Sequence, residues 1–394
     1  MVKFLKSFID VLCRMPYVHN RHMYSNKALL MMTRNGMAAT EISMSRLLKL
    51  AHKFNCFYLS DQQQGKCRPF IVEGYQVGLV RPDVMMQLMR YPDVFHIQPD
   101  SVELNPAFRD YDERSTKVEA VLRECRSNNV FVTLKGWREE VSQTEDVSLK
   151  ENQFEYLVLI ITSFKSVKLI VIIQFCTSHS SIVLRSAQSF PTDHCSRWIG
   201  LFGIRNYGVD INGYVMDPEK GLCIWLQRRS ATKQTWPGKW DNMVGGGLSV
   251  GYGILETAIK EAAEEASIPT ELIAKLRPAG CVSFFFESER GLFPNTEFVF
   301  DLELPADFVP SNSDGEVETF ELLPANEALE KVFSSEFKTT SCPVVIDFLI
   351  RHGLISPETE PNFPRLVELL HVPLQSLYRY HQKQIPAENG QNSL

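Results

Sequence analysis

From Glu41 onward the chain alternates between two hydrophobic rhythms. In "ISMSRLLKLAHKF" the apolar residues recur at helical spacing, which predicts an amphipathic helix. "RPFIVEGYQVGLVRPDVMMQLMRY" reads as strand, turn and helix, "RSTKVEAVLRECRSNN" as a further amphipathic helix, and "VFVTLKGW" as a strand. Together they predict a smaller α/β domain over residues 41–200. Residues 141–190 break the rhythm, because "VSQTEDVSLKENQ" is polar and "YLVLIITSFKSVKLIVIIQF" (156–175) is a near-continuous apolar run. A membrane span is one reading, but Lys165 and Lys168 would then lie mid-bilayer at about 2.5–3.5 kcal/mol each. The Val and Ile richness favours strands instead, and a third reading is an artefact of the gene model.

Beyond residue 200 the pattern becomes regular. "YGVDINGYVMD" and "GLCIWLQRRS" are paired strands around the turn-forming "PEKG". A Gly-rich loop, a helix, the strands "AGCVSFFFES" and "EFVFDLEL", and the helix "CPVVIDFLIRHG" follow, the last stopped by Gly353. This predicts a second domain over 201–372 and a polar, mobile tail over 373–394. No internal repeat is visible.

A chain of 394 residues exceeds the usual reach of one hydrophobic core, so two domains are expected. The net charge of -6 argues against a binder of nucleic-acid polymers, which needs a clustered excess of Lys and Arg. The nine cysteines form no CxxC pair, so neither a zinc site nor a disulfide framework is signalled and a reducing compartment fits. Residues 1–40 carry Lys3, Lys6, Arg14, Arg21, Lys27 and Arg34 against Asp10. That segment resembles a mitochondrial transit peptide, with a frayed basic terminus as the alternative, so the expected location is cytoplasmic or mitochondrial.

The chemistry concentrates in "GGGLSVGYGILETAIKEAAEEASI", residues 245–268. Glu261, Glu264 and Glu265 stand at i, i+3 and i+4 and project from one helix face, with Leu255, Ala258, Ile259, Ala262 and Ala266 on the adjoining packing face. Taken alone, "KEAAEEA" is more often a solvated helix face. The preceding Gly245, Gly246 and Gly247 change the balance, because a glycine loop lets backbone approach phosphates closely before a helix N-terminus. Converging carboxylates suit Mg²⁺, with Mn²⁺ as a substitute.

These residues resemble the Nudix box: a Gly, five residues, Glu, seven residues, then Arg-Glu-apolar-x-Glu-Glu-x-Gly-apolar. Gly246 opens the match and 260–268 close it, with all three metal-binding glutamates aligned without gaps. Tyr252 replaces the first Glu, Lys260 the Arg and Ser267 the final Gly. "FRDYDERSTKVEAVLR", "LKGWREE", "RRSATKQTWPGKWDNMVGGGL" and "FLIRHG" look like the Nudix subgroup with an extra N-terminal domain of unassigned function. The resemblance implies a Nudix α/β/α sandwich with a mixed sheet, preceded by the smaller α/β domain.

It also implies a Mg²⁺-dependent hydrolase of a small organic diphosphate, of the oxidised thiamine diphosphate type. An 8-oxo-dGDP or other nucleoside diphosphate phosphatase is the close alternative, and a catalytically weak binding protein is the rival class. Glu261, Glu264 and Glu265 are the expected metal and catalytic residues, with Glu297 as a further metal ligand. Arg228, Arg229 and Lys233 are expected to neutralise the diphosphate, and Trp236 and Trp240 to meet a heteroaromatic ring. Glu316 and Glu318 are candidates for the general base. Each has a plain alternative in a strand end, a core aromatic or a solvated loop.

Overall fold

The computed structural model describes residues 44–134, 199–248, 252–313 and 315–378. The basic segment 1–40, the atypical stretch 141–190 and the tail beyond 378 lie outside the described residues. Among the described residues no helix is long and apolar enough to cross a membrane.

Helix α1 (Arg46–Phe54) starts at Ser45, whose hydroxyl accepts from the Leu48 N–H at 3.0 Å and so satisfies one of the free amides of the first turn. A short helix α2 (Asp61–Lys66) leads into β1 (Arg68–Val72) and β2 (Tyr75–Val80). The single strand expected there is a hairpin, turned by Glu73 and Gly74, both at positive φ. Helix α3 (Pro82–Leu88), β3 (Phe95–Ile97), β4 (Val102–Leu104) and α4 (Tyr111–Ser127) complete a four-stranded sheet in the order β2-β1-β4-β3. Its core holds Phe70, Val80, Leu88, Phe95 and Leu122 and also takes in Ile199, Leu201 and Phe202 from much later in the chain. Of the expected strand 130–137, residues Val132–Leu134 form a 3₁₀ turn.

The larger sheet contains β5 (Asn206–Asp217), β6 (Gly221–Arg229), β7 (Trp240–Asn242), β8 (Val244–Gly247), β9 (Arg277–Ser288), β10 (Gly291–Glu303) and β11 (Val317–Pro324). Its order is β11-β6-β5-β10-β9, with β5 and β10 parallel and the other neighbours in this order antiparallel, so the sheet is mixed. Strands β5 and β6 pair only from Tyr214↔Ile224 to Asp217↔Gly221 and then part. Into the gap run β7, paired with β6, and β8, paired with β5. The glycines expected to form a loop are therefore held in a strand, with Gly245 opposite Asp210 and Gly247 opposite Gly208.

Helix α5 (Ile254–Ala266) covers one face of this sheet and the short α6 (Thr270–Ile273) follows it. The face is built from Val209, Ile211, Trp225, Val244, Phe300 and Leu302. The packing stripe of α5 is Ala258, Ala262 and Ala266, whereas Leu255 and Ile259, expected to join it, remain exposed. Small side chains let the helix lie close to the glycines of β8, and the larger ones are left outside that contact.

Helices α7 (Ala325–Phe333), α8 (Cys342–Arg351) and α9 (Phe363–Leu370) cover the opposite face, and α1 packs among them in the same core. Asn55 fastens that junction: its Nδ2 donates to Leu369 O at 2.7 Å and its Oδ1 accepts from the Phe285 N–H at 3.0 Å. Residues 373–378, assigned to the mobile tail, are docked, with Tyr378 buried and its hydroxyl donating to Gly203 O at 2.7 Å.

Candidate functional site

The site grows from the C-terminal half of α5. Gly253 caps the helix, and Glu256 reaches back to the Gly253 N–H at 2.7 Å. Glu256 thus supplies the first-turn carboxylate that complements the helix dipole, while Tyr252, in the place of the family's first glutamate, is 50% exposed. The helix ends at Ser267, whose φ of 49° and ψ of 40° are left-handed. The family's glycine at this position has a conformational reason.

The three box glutamates share a helix side but fan out in depth. Glu265 is buried, accepting from the Gly245 N–H at 2.9 Å and from Gln227 Nε2 at 3.3 Å. Burial pushes its carboxyl up to about 7 against the opposing pull of the Gly245 amide and Lys233. Glu261 is half-buried and lies on Gly246, where any side chain would put its Cβ 2.3 Å from Glu261 Cδ. Burial raises its carboxyl too, with Lys260 opposing. Glu264 meets solvent and takes Lys260 Nζ at 2.8 Å. Lys260 also lies 3.4 Å from Glu261, so the lysine in the place of the family's arginine spans two carboxylates as a point charge. Among the described residues no group of three His, Cys, Asp or Glu side chains is gathered as for a metal ion.

Glu297 does not join the box. In β10, Phe298, Phe300 and Leu302 face α5, while Val299 faces the other core, so alternation sends Glu297 to the face away from the box helix. There it lies over Gly208 and accepts from Asn295 Nδ2 at 3.2 Å, and burial pushes it up to about 7. Strand parity thus separates Glu297 from the box glutamates, beside which a fourth ligand was expected.

The cations separate in the same way. Arg229 is buried, with Nη1 on Asp241 Oδ2 at 2.9 Å and Nη2 on Thr235 O at 3.0 Å, so it anchors the 230–239 loop instead of waiting for phosphate. Lys338 Nζ reaches the same Asp241 oxygen at 2.9 Å. Burial alone would raise Asp241, but Lys338 and Arg229 together hold it down to about 2. Arg228 lies 3.8 Å from Glu336 and stacks over Trp240 at 5.5 Å. Lys233 pairs with Glu316 and also lowers the pKa of Glu261 and Glu265. Trp236 is half-buried at a φ of 52° and lies 6.1 Å from Phe286, whereas Trp240 is buried under Lys331. Glu318 stands exposed in β11 and not in a loop.

Sequence reasoning missed Asp210, Gln227, Asp241, Asn242 and Lys338. For the strand residues the only linear signal is a polar position interrupting an apolar run, as in "VDIN" and "WLQRR", and Lys338 has none.

A family model described as "NUDIX domain" matches residues 206–340, and one described as "Domain of unknown function (DUF4743)" matches 46–154. The "Uncharacterized protein YJR142W" of Saccharomyces cerevisiae is 31% identical over 294 residues, covering 71% of this chain and 74% of that protein. "Nudix hydrolase 24, chloroplastic" and "Nudix hydrolase 20, chloroplastic" of Arabidopsis thaliana are 43% and 41% identical. Each of those two matches covers 40% of this chain but only 43% and 42% of the relatives' own lengths. The MutT protein from Methanosarcina mazei Go1 superposes over 38% of this chain and 96% of its own, at 21% identity and a TM-score of 0.30, too partial a likeness to add to these relationships. Two successive family matches and a relative aligned across both of them make this chain a member of the Nudix hydrolases, a family that acts on diphosphate linkages and generally uses divalent metals, in the group that carries the additional N-terminal domain.

Proposed function

We propose that the protein hydrolyses the diphosphate linkage of a small organic diphosphate with Mg²⁺ held by Glu261 and Glu265. The observation that carries this reading is a pair of box carboxylates beside a buried amide oxygen that nothing satisfies. Gln227 gives its Nε2 to Glu265, while its buried Oε1 has no hydrogen-bond partner. Glu261 and Glu265 are both raised by burial. Two carboxylates and an amide oxygen are hard oxygen donors of the kind that Mg²⁺ prefers. When bound, the ion would neutralise charge developing on the phosphoryl oxygens.

The chain's own groups carry the remaining work. Lys233, close enough to lower the pKa of both glutamates, would turn from Glu316 to a phosphoryl oxygen. We assign Glu264 to accept the proton of the attacking water, because it is the box carboxylate that meets solvent. Arg229 acts through the 230–239 loop and Arg228 at its edge. Thiamine diphosphate-type molecules remain the favoured substrates and 8-oxo-dGDP the alternative. The basic segment 1–40 supports mitochondrial import, with cytoplasmic residence as the alternative.

The test is phosphate release by the purified chain with Mg²⁺ across thiamine diphosphate analogues and nucleoside diphosphates. Turnover should vanish in excess EDTA and fall by at least about a hundredfold in Glu265→Gln. Full turnover in EDTA, or no hydrolysis of any diphosphate, would sink the proposal.

A further inference from the structure

On the sheet face away from α5 lies a second group of acids that the proposed hydrolysis does not use. Asp210 of β5 is buried and accepts from Asn242 Nδ2 at 2.7 Å. Glu297 of β10 accepts from Asn295 Nδ2 at 3.2 Å. Among the described residues no ion pair is made by either acid, and the nearby cations Lys338 and Arg229 are bonded to Asp241.

Each amide donates its N–H to a carboxylate and leaves its own oxygen bare. Asn242 is 1% exposed and Asn295 is 8% exposed, and the Oδ1 atoms of both are buried with no hydrogen-bond partner. Buried acceptors without donors are costly and uncommon, so four acceptor groups in one place point to a ligand that brings donors.

The walls are aromatic. Phe293, Asn295 and Glu297 alternate along β10 on one face, and Phe286 is the cross-strand partner of Phe293, with ring centroids 6.5 Å apart. Trp236 extends the row at 6.1 Å from Phe286. All three rings are half-buried and offer flat apolar surface beside the acceptors. Between this face and the box glutamates runs the strip Gly208, Gly245 and Gly246, where the side chains nearest the backbone are those of Glu297, Asp210 and Glu261.

We propose that this recess binds the ring end of the substrate, as an amino-substituted heteroaromatic ring whose N–H groups meet Asp210, Asn242, Asn295 and Glu297 while its plane lies against Trp236, Phe286 and Phe293. The assignment rests on the hydrolase reading only in calling the ring part of a substrate. A pyrimidine and a purine share this donor chemistry.

The test uses the whole chain without metal, so that ring recognition is read apart from hydrolysis. Ligand-observed NMR compares 4-amino-2-methylpyrimidine with 2,4-dimethylpyrimidine, and guanosine with inosine. The amine-bearing member of one pair should bind about tenfold tighter or more, and the responding pair identifies the ring. Asn242→Ala and Glu297→Met should each abolish the preference. Glu297→Met keeps the length of the side chain at a half-buried position and removes both acceptor oxygens, so it decides the matter if Asn242→Ala fails to fold. Equal affinities within both pairs, or a preference that survives Glu297→Met, overturn the proposal. If the preference is found but no diphosphate is hydrolysed, the hydrolase reading fails and the ring site stands.

Discussion

On the proposed reading, Glu265 sets stability against function in one side chain. Its carboxyl titrates at the ordinary 4.5 in the unfolded chain and at about 7 in the fold, because burial penalises the charged form. The folded state therefore holds the proton more tightly, and stability falls as pH rises from 4.5 towards 7. The full effect is on the order of 3 kcal/mol. In EDTA, the urea midpoint should fall between about pH 5 and about pH 8. Glu265→Gln should flatten the fall, leaving the part that Glu297, Asp210 and Glu261, shifted in the same direction, contribute. An unchanged slope in the variant would show that Glu265 is not the group responsible. Ser267 offers the opposite experiment, since a left-handed non-glycine residue carries a backbone penalty of about 1 kcal/mol. Ser267→Gly should raise the thermal midpoint by a few degrees, measurable by circular dichroism.

At the scale of elements, α5 was legible and β8 was not. The spacing of Glu261, Glu264 and Glu265 with Gly246 survives any packing arrangement, because helix periodicity is local. The strand character of 244–247 depends on β5 and β6 parting after Tyr214↔Ile224, a long-range event that leaves no mark on a run of glycines. The depth ordering of the three glutamates, and the side of the sheet that Glu297 faces, follow from that event and were equally hidden. The glycines of β8 make separable predictions. At Gly246 a new Cβ would fall 2.5 Å from Glu261 Cγ, so Gly246→Ala should displace that carboxylate and lower turnover by about a hundredfold. The thermal midpoint should change little, since a side chain and not backbone must yield. At Gly247 nothing lies within 4 Å, and Gly247→Ala is the control expected to leave turnover intact. Equal losses in both variants would mean that strand geometry, and not Glu261, is being disturbed.

Across the whole molecule, the two regions read from the hydrophobic pattern lend residues to each other's cores. Helix α1 is contiguous with the smaller α/β region in sequence, yet Ala51, Phe54 and Phe57 are completely buried in the core that covers the larger sheet. Phe54 meets Phe284 edge-on at 5.9 Å, Phe57 lies 4.3 Å from Phe285, and Arg46 holds Glu330 at 2.8 Å while stacking on Phe333. The exchange runs in both directions, since Phe202 packs among the β1–β4 strands and its carbonyl takes the Leu79 N–H at 2.8 Å. A chain beginning at residue 201 would keep every box residue but expose Phe284, Phe285 and Leu369, which α1 and its following turn now cover. Such a chain should aggregate or lose cooperative unfolding, whereas the full chain should unfold in one transition. Phe54→Ala tests the coupling without truncation: removing a fully buried ring costs about 3–5 kcal/mol, and the loss should appear in urea as one shifted transition read identically by far-ultraviolet circular dichroism and tryptophan fluorescence. If the variant instead shows an early transition confined to part of the signal, with the tryptophans unaffected, then α1 is an appendage and the larger sheet closes its core without it.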